Sequence, residues 1–133
     1  MSWDLLLLPV PAGFDSVDDF PDDLATPPLG SHEQVTAALL DQLPGIDFSD
    51  PTWGRLAGPA WSIELSLGSE TPVDSIMLHV RGAGDDVLGA VFAIAGAVGC
   101  RVIDISEGDF LAPDDPNGWH SFQDYRDRVI RDS

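Results

Sequence analysis

The stretch from Trp61 to Gly82, WSIELSLGSETPVDSIMLHVRG, contains two runs in which apolar and polar residues alternate. A period of two is typical of strands that bury one face of a sheet. Turn-forming residues at 68–72 separate the runs. The stretch therefore predicts two neighbouring strands that share a buried face. Its predicted inward residues are Trp61, Ile63, Leu65 and Leu67 in the first run and Ile76, Leu78 and Val80 in the second.

A strand and a helix are predicted before this pair. The nearly continuous apolar run from Trp3 to Val10 predicts a strand that is covered on both faces. Ser31 begins a helix, Gln34 completes a capping box, and Gly45 follows its end. The segment 47–59 is interpreted as a loop that carries Trp53 and has room for a short edge strand. The predicted buried stripe of the helix is Val35, Leu39, Leu40 and Leu43.

A second helix and a last strand are predicted after the pair. Asp85 and Asp86 are expected to cap the helix, and Gly99 to end it. Residues 102–106 follow as the last strand, with Ile103 and Ile105 inward. The predicted apolar stripe of the second helix is Val87, Leu88, Val91, Phe92, Ala95 and Val98. A C-terminal helix is predicted over residues 119–131, with Trp119, Phe122, Tyr125 and Val129 along one side.

This order of elements predicts an α+β fold in a single domain, residues 1–133. Two interlocked strand–helix–strand units favour a ferredoxin-like βαββαβ sandwich, in which helices cover one face of an antiparallel sheet. The first strand would then place two leucines on the other face. Because leucines on a sheet face are not expected to stay in water, either the C-terminal helix covers them or a second copy does, as a homodimer through the open face.

The charge balance is strongly acidic. Asp and Glu number 23 against six Arg and no Lys, and the formal net charge is −17. The negative electrostatic potential of such a chain repels nucleic acid and anionic membranes and attracts basic proteins. We therefore expect a basic protein partner and no nucleic-acid or membrane partner. Two alternatives stay open for the origin of the charge: the acidity maintains solubility, or it reflects a host with an acidic proteome.

The segment 11–30 concentrates this charge in a long, Pro-rich, acidic loop. Phe14, Phe20 and Leu24 are predicted to attach parts of it to the core. Four of its aspartates are the candidate partner-binding residues, because exposed charges steer the association of proteins. They are Asp18, Asp19, Asp22 and Asp23.

The apolar runs and the single cysteine indicate a soluble, cytoplasmic protein. The run Leu5 to Leu8 is too short for a secretory signal, and Val87 to Val98 is too short to span a bilayer. Cys100 is the only cysteine, so the chain has no internal disulfide. We interpret Cys100 as a small buried hydrophobic residue.

One polar cluster is a candidate for chemistry. His79 and Arg81 alternate outward on one predicted strand, and Glu64 is a cross-strand neighbour on the other. A cluster of Glu64, His79 and Arg81, with Asp104 nearby, could perform acid–base chemistry. A structural ion pair at the sheet surface is the favoured interpretation, because the sequence places no nucleophile or second base beside His79.

No cofactor or metal site is predicted. Gly82-Ala83-Gly84 follows a strand and precedes a helix, but Val87 occupies the third glycine position of the dinucleotide motif. The acidic residues 104–115 do not match the calcium-loop spacing. His32, His79 and His120 lack zinc-like spacing.

Three stretches carry a family resemblance. They are residues 50–54 (DPTWG), 76–82 (IMLHVRG) running into Asp85, and 119–127 (WHSFQDYRD). Together they resemble small acidic bacterial proteins, some of which are similar to immunity proteins of polymorphic toxin systems. The resemblance covers most of the chain and implies no catalytic residues.

Composition and resemblance together predict a non-enzymatic binding protein that engages a cationic protein, such as an immunity-type inhibitor. One alternative is a small-molecule sensor or regulatory domain that acts as a dimer. A second alternative is an enzyme with a site centred on His79.

Overall fold

The computed structural model describes residues 2–11, 13–21 and 24–132, with side chains up to residue 130. This part of the chain forms a seven-stranded antiparallel sheet and three α-helices, the last of them C-terminal. The fold is therefore α+β. Its elements are β1 (Trp3–Leu8), a 3-10 helix (Val17–Asp19), α1 (His32–Gln42), β2 (Asp47–Asp50), β3 (Trp53–Ala57), β4 (Trp61–Ser66), β5 (Ile76–Gly82), α2 (Val87–Val98), β6 (Arg101–Asp104), β7 (Asp109–Phe110) and α3 (Asn117–Asp132).

The strand order is β2-β3-β4-β5-β1-β6-β7, and every neighbouring pair is antiparallel. β4 and β5 are neighbours, with Ile63 opposite Val80 and Leu65 opposite Leu78. The predicted pair of strands and its shared buried face are confirmed. β1 lies between β5 and β6, and its residues alternate between buried and half-buried, so the prediction that this strand is covered on both faces holds fully for one face only.

Helices α1 and α2 contact each other and cover one face of the sheet, which we call the helical face. Burial of a leucine side chain stabilises a fold by roughly 1.5–3 kcal/mol, so this face supplies most of the apolar driving force. The opposite face is called the open face. The fully buried strand residues of the helical face include Leu5, Leu7, Ile63, Leu65, Ile76, Leu78 and Val80.

The predicted ends of the helices are confirmed at two positions. Both bonds of the capping box are present, from the Gln34 N–H to Ser31 Oγ (3.1 Å) and from the Ser31 N–H to Gln34 Oε1 (2.9 Å). Gly99 ends α2 with a left-handed backbone, φ 69°. Leu40, in contrast, is exposed, so the predicted buried stripe of α1 is wrong at that position.

The prediction that Asp85 and Asp86 cap α2 is confirmed in position only: Asp86 is the N-cap residue, but neither a capping bond from its side chain nor one from Asp85 is formed. Asp86 has helical backbone angles, and its side chain makes no capping hydrogen bond. Its carboxylate accepts instead from Trp61 Nε1 at 3.0 Å, and the Asp85 carboxylate pairs with His120 at 2.8 Å. Tertiary partners, rather than the first backbone N–H groups of α2, therefore bond both carboxylates.

The predicted face of the last strand is also wrong. Asp104 of β6 lies opposite Leu5, which puts Asp104 and Val102 on the helical face. Ile103 points to the open face, where it is buried, and Ile105 lies beyond the strand and is 49% exposed. A shift of one residue in the assumed phase moves every side chain to the other face.

Residues 47–57 form two strands rather than a loop. β3 pairs along its length with β4, and β2 forms the edge of the sheet. Gly54 makes this hairpin possible, because a Cβ there would lie 2.6 Å from the ring of Phe48. Because the segment is rich in polar residues, it shows no clear alternation of apolar and polar residues that would predict these strands.

The C-terminal helix begins at Asn117, two residues before its predicted start. Trp119 is buried, stacks on Trp3 at 5.2 Å and donates from Nε1 to the carbonyl of Gly84. Tyr125 and Val129 are exposed, so only the first part of the predicted stripe is buried. These contacts lie on the helical side. α3 therefore does not cover the outward leucines of β1, Leu6 and Leu8, which are half-buried. Within the described residues, no helix is long and apolar enough to cross a membrane.

Candidate functional site

A polar cluster occupies the open face where β4, β5 and β1 lie side by side. Glu64 lies directly opposite His79, as the sequence predicts. Arg81 Nη1 donates to Glu64 Oε1 at 2.5 Å, and Arg55 on β3 approaches the same oxygen at 4.0 Å. The fold thus brings Glu64, His79 and Arg81 together on one face, where Glu64 pairs with Arg81 and Arg55.

His79 is held by two residues that the sequence pattern does not predict. Its Nδ1 lies 2.8 Å from Asp4 Oδ1, and its ring stacks on Trp53 at 5.7 Å. An ionised carboxylate only accepts hydrogen bonds, so Nδ1 is the protonated nitrogen. Asp4 lies opposite His79 in the sheet register. That pairing becomes visible only once β1 is placed beside β5.

Asp104 does not belong to this cluster. It lies on the helical face, with 2% of its surface exposed. Its carboxylate accepts from Trp3 Nε1 at 3.1 Å and from the backbone N–H of Ser106 at 2.9 Å. Because the sheet separates Asp104 from His79, the two cannot line one pocket. The inclusion of Asp104 in the predicted surface cluster is therefore wrong.

The cluster has part of the geometry of an acid–base site. A carboxylate that fixes Nδ1 of an imidazole leaves Nε2 able to take a proton. Among the described residues, however, no hydroxyl or thiol bonds to Nε2 of His79. Burial raises the pKa of the Cys100 thiol to about 12, which keeps it protonated and unreactive. The geometry therefore fits an ion-paired sheet surface better than a nucleophilic site.

A second candidate site is the acidic strap, defined here as residues 13–21. Its 3-10 turn presents Asp18 and Asp19 to solvent. The carboxylate of Asp109 on β7 holds this turn, accepting from Ser16 Oγ at 2.8 Å and from the Val17 N–H at 2.9 Å. These bonds, first that from Val17, lower the pKa of Asp109. Asp109 is therefore ionised at neutral pH and anchors the turn.

Aromatic contacts attach the strap to the edge of the sheet. Phe14 and Phe20 pack edge to face at 5.2 Å, and Phe20 packs on Phe110 of β7 at 5.7 Å. Arg101 lies 3.6 Å from the centre of the Phe110 ring and donates to the carbonyl of Phe14. The prediction that Phe14 and Phe20 attach this loop is confirmed. Leu24 is half-buried. Two of the candidate partner-binding residues, Asp22 and Asp23, lie outside the described residues.

A third acidic group lies at the opposite edge of the sheet. Asp47 accepts from the hydroxyl and N–H of Ser49, and Asp50 accepts from the N–H and hydroxyl of Thr52. These hydrogen bonds lower the pKa of both carboxyl groups, so both stay ionised. They flank Trp53, which is 39% exposed.

Within the part of the chain that the structure describes, most exposed carboxylates have no arginine partner. Among the described residues, Asp127 is the one exposed acidic side chain that pairs with an arginine, Arg126, and Asp85 is hydrogen-bonded to His120. Arg55 and Arg81 both pair with the half-buried Glu64. The surface therefore carries a strong negative potential that internal pairs do not neutralise.

No group of three or more metal-binding side chains is found among the described residues. Comparison of the chain with protein-family models, with curated proteins and with solved structures gives no match. What the protein does is therefore inferred from its own charge, contacts and surfaces.

Proposed function

We propose that this protein is a non-enzymatic binding protein that engages a cationic protein partner, as an inhibitor of the immunity type. The observation that carries the proposal is the exposed and largely unpaired set of carboxylates in a chain of net charge −17. Uncompensated charges of one sign speed the encounter with an oppositely charged protein by orders of magnitude at low salt.

The acidic strap supports the proposal because it presents charge on a rigid support. Asp18 and Asp19 lie on a turn that Asp109 bonds and that Phe14 and Phe20 attach to the sheet edge. A binding element ordered in advance loses little conformational entropy when a partner docks. We propose Asp18 and Asp19 as partner-binding residues, with Asp22 and Asp23 continuing the same acidic segment.

The resemblance to immunity proteins agrees with an inhibitor that blocks a basic toxin by charge complementarity. A nucleic-acid-binding protein is an equally suitable partner under this proposal. Its basic binding surface would be blocked by an acidic protein surface that mimics nucleic acid. The enzymatic alternative at His79 has less support, because Asp104 lies on the other face of the sheet and Cys100 is protonated. The proposed location is the cytoplasm.

We also assign the fold to the ferredoxin-like class within this proposal. Four strands in the order β4-β5-β1-β6 support that assignment, since they match the interlocked strand–helix–strand arrangement predicted from the sequence. Both α1 and α2 lie on one face of these strands. β2, β3 and β7 would then be extensions of the sheet at its two edges.

The test is capture of a partner from the native host, followed by reconstitution with the purified partner at low and moderate salt. We expect a basic protein whose association rate falls steeply with salt. The Asp18→Asn, Asp19→Asn variant should slow association. The control variant Asp74→Asn, Asp114→Asn removes two other exposed charges and should have a smaller effect. Recovery of no basic protein at either salt concentration contradicts the proposal.

A further inference from the structure

Trp53 presents an aromatic face at the surface near the edge of the sheet. Its indole stacks on the imidazole of His79, with 5.7 Å between the ring centres and 21° between the ring planes. His79 lies on β5, whereas β2 flanks Trp53 on the other side. The second face of the indole is therefore turned away from His79, on the side of β2. The side chain is 39% exposed, so this aromatic face is accessible.

A cavity of about 290 Å³ lies against this indole. Besides Trp53, it is lined by Asp47, Ser49 and Asp50 of β2 and by Arg55 of β3. Asp50 is opposite Trp53 in the sheet register, and Asp47 is opposite Arg55. Both carboxylates are exposed and lie on the same face of the sheet as the indole. The cavity thus combines an aromatic wall with two carboxylates.

Each carboxylate is oriented through one of its oxygens. Asp47 Oδ1 accepts from the N–H and hydroxyl of Ser49, at 2.8 and 2.6 Å. Asp50 Oδ1 accepts from the N–H and hydroxyl of Thr52, at 2.8 and 2.7 Å. Within the described part of the chain, neither Oδ2 accepts a hydrogen bond. Since an ionised carboxylate accepts at both oxygens, each residue keeps an acceptor for a ligand.

No cation of the described chain occupies the indole of Trp53. The arginines that lie over aromatic rings among the described residues, Arg101 and Arg126, lie over other rings. Arg55 lines the cavity, but its guanidinium approaches Glu64 of β4 at 4.0 Å. The site therefore has negative charge in excess and an aromatic face without an internal cation.

We propose that this cavity binds an arginine side chain of a basic protein, with the guanidinium stacked on Trp53 and paired with Asp47 and Asp50. A guanidinium is planar, stacks on aromatic faces and donates to carboxylates in a fork, which the ammonium group of lysine cannot do. The inference rests on the proposed function for the source of the arginine. It adds a short-range contact that slows dissociation to the long-range charge that speeds association.

The experiment is an NMR titration of the isotope-labelled full chain at low salt, with a blocked Gly-Arg-Gly peptide as the probe. We expect shifts at the indole N–H of Trp53 and at the backbone amides of Ser49 and Arg55, larger than those in the acidic strap. Two matched peptides carry lysine or citrulline, which keeps the shape of arginine without its charge. At the same ionic strength both should bind more weakly, citrulline most weakly of all.

Matched variants locate the binding. Trp53→Leu removes the aromatic face, and Asp47→Asn, Asp50→Asn removes two charges but keeps the side-chain oxygens that form the local turns. Each should weaken binding of the arginine peptide about threefold or more, measured at the backbone amides. Asp18→Asn, Asp19→Asn removes the same charge from the strap and should leave the affinity within about twofold. Circular dichroism of each variant confirms that the fold is retained.

Three results overturn the inference. The arginine peptide shifts no signal of the cavity, or the lysine or citrulline peptide shifts those signals as much, or the strap variant weakens binding as much as Trp53→Leu does. Partner capture tests the proposed function without this peptide. A captured basic protein with no peptide binding at Trp53 leaves the function standing and removes the inference. Peptide binding at Trp53 with no captured basic protein does the reverse.

Discussion

The same alternating strands present side chains of different burial on the two faces of the sheet. On the helical face, Leu5 and its neighbours are fully buried against α1 and α2. On the open face, the adjacent residue Leu6 is half-buried beside His79 and its ion-paired neighbours. The difference shows that apolar residues on both sides of a central strand need not mark two equal cores. One face forms the packed core, and the other leaves polar side chains and half-buried leucines at the surface.

The largest expected difference between the faces is in stability. Leu5→Ala should lower the free energy of unfolding by about 2–5 kcal/mol, because it creates a cavity in the packed helical face. Leu6→Ala, one residue away, should cost about 1 kcal/mol, because Leu6 keeps part of its surface in water. Urea denaturation of both variants measures the difference. Equal losses would show that the open face is a second core.

The next largest effect on stability is expected at Asp104, the one buried carboxylate among the described residues of the helical face. Asp104→Ala should cost about 2 kcal/mol, since it leaves Trp3 Nε1 and the N–H of Ser106 without their acceptor. Asp104→Asn retains one side-chain oxygen and should cost less. Urea denaturation with Trp fluorescence follows both variants. If Asp104→Ala is as stable as the parent chain, this face does not depend on its polar bonds.

A smaller and local effect is expected where the strap covers the edge of the open face. Asp109→Asn should loosen the 3-10 turn, and hydrogen exchange at the Val17 amide should quicken while the core amides keep their protection. Because hydrogen bonds lower the folded-state pKa of Asp109, its stabilising contribution is complete above the ordinary Asp pKa of about 3.9. The contribution is lost as pH falls through the lower folded value.

The parent chain should therefore show faster Val17 exchange on acidification below about pH 4, after correction for the intrinsic pH dependence of exchange. In Asp109→Asn this additional change should be absent. A parent strap that stays protected through that range would mean that the aromatic contacts alone hold it.

The smallest effect on stability is expected at the exposed charges. The variant Asp18→Asn, Asp19→Asn, Asp22→Asn, Asp23→Asn should leave the thermal midpoint unchanged or slightly raised, because mutual repulsion is relieved. Association with a basic partner should slow and lose part of its salt dependence. Calorimetry and stopped-flow kinetics measure the two quantities. A clear loss of stability with an unaltered association rate would make these carboxylates structural.

Local sequence patterns are sufficient to predict a strand or a helix wherever the hydrophobic residues of a segment follow one strong period. The alternation around Ile63 and Leu78 predicted β4, β5 and their shared face, and Ser31 with Gln34 predicted the start of α1. They were insufficient for the short polar strands β2 and β3, whose residues have no strong alternation. They also misplaced the face of β6, because a four-residue strand allows either phase.

The sequence likewise predicts only part of the candidate site around His79. Glu64, His79 and Arg81 share a hairpin, so their proximity follows from local register. Asp4 and Trp53 join them from β1 and β3, which lie on opposite sides of that hairpin in the sheet. Their contacts with His79 depend on strand order, which a single sequence without that order does not contain.

Composition and periodicity by themselves determined an acidic α+β chain with a leucine-rich central strand, because charge and alternation are local properties of the sequence. The tertiary structure decided that α3 packs against Trp3 rather than across Leu6 and that the strap attaches beside Phe110. It also decided that Asp104 is buried while Asp4 faces the histidine. These outcomes depend on which segments, far apart in the sequence, pack against the same surface. Such packing can be read only from the folded chain.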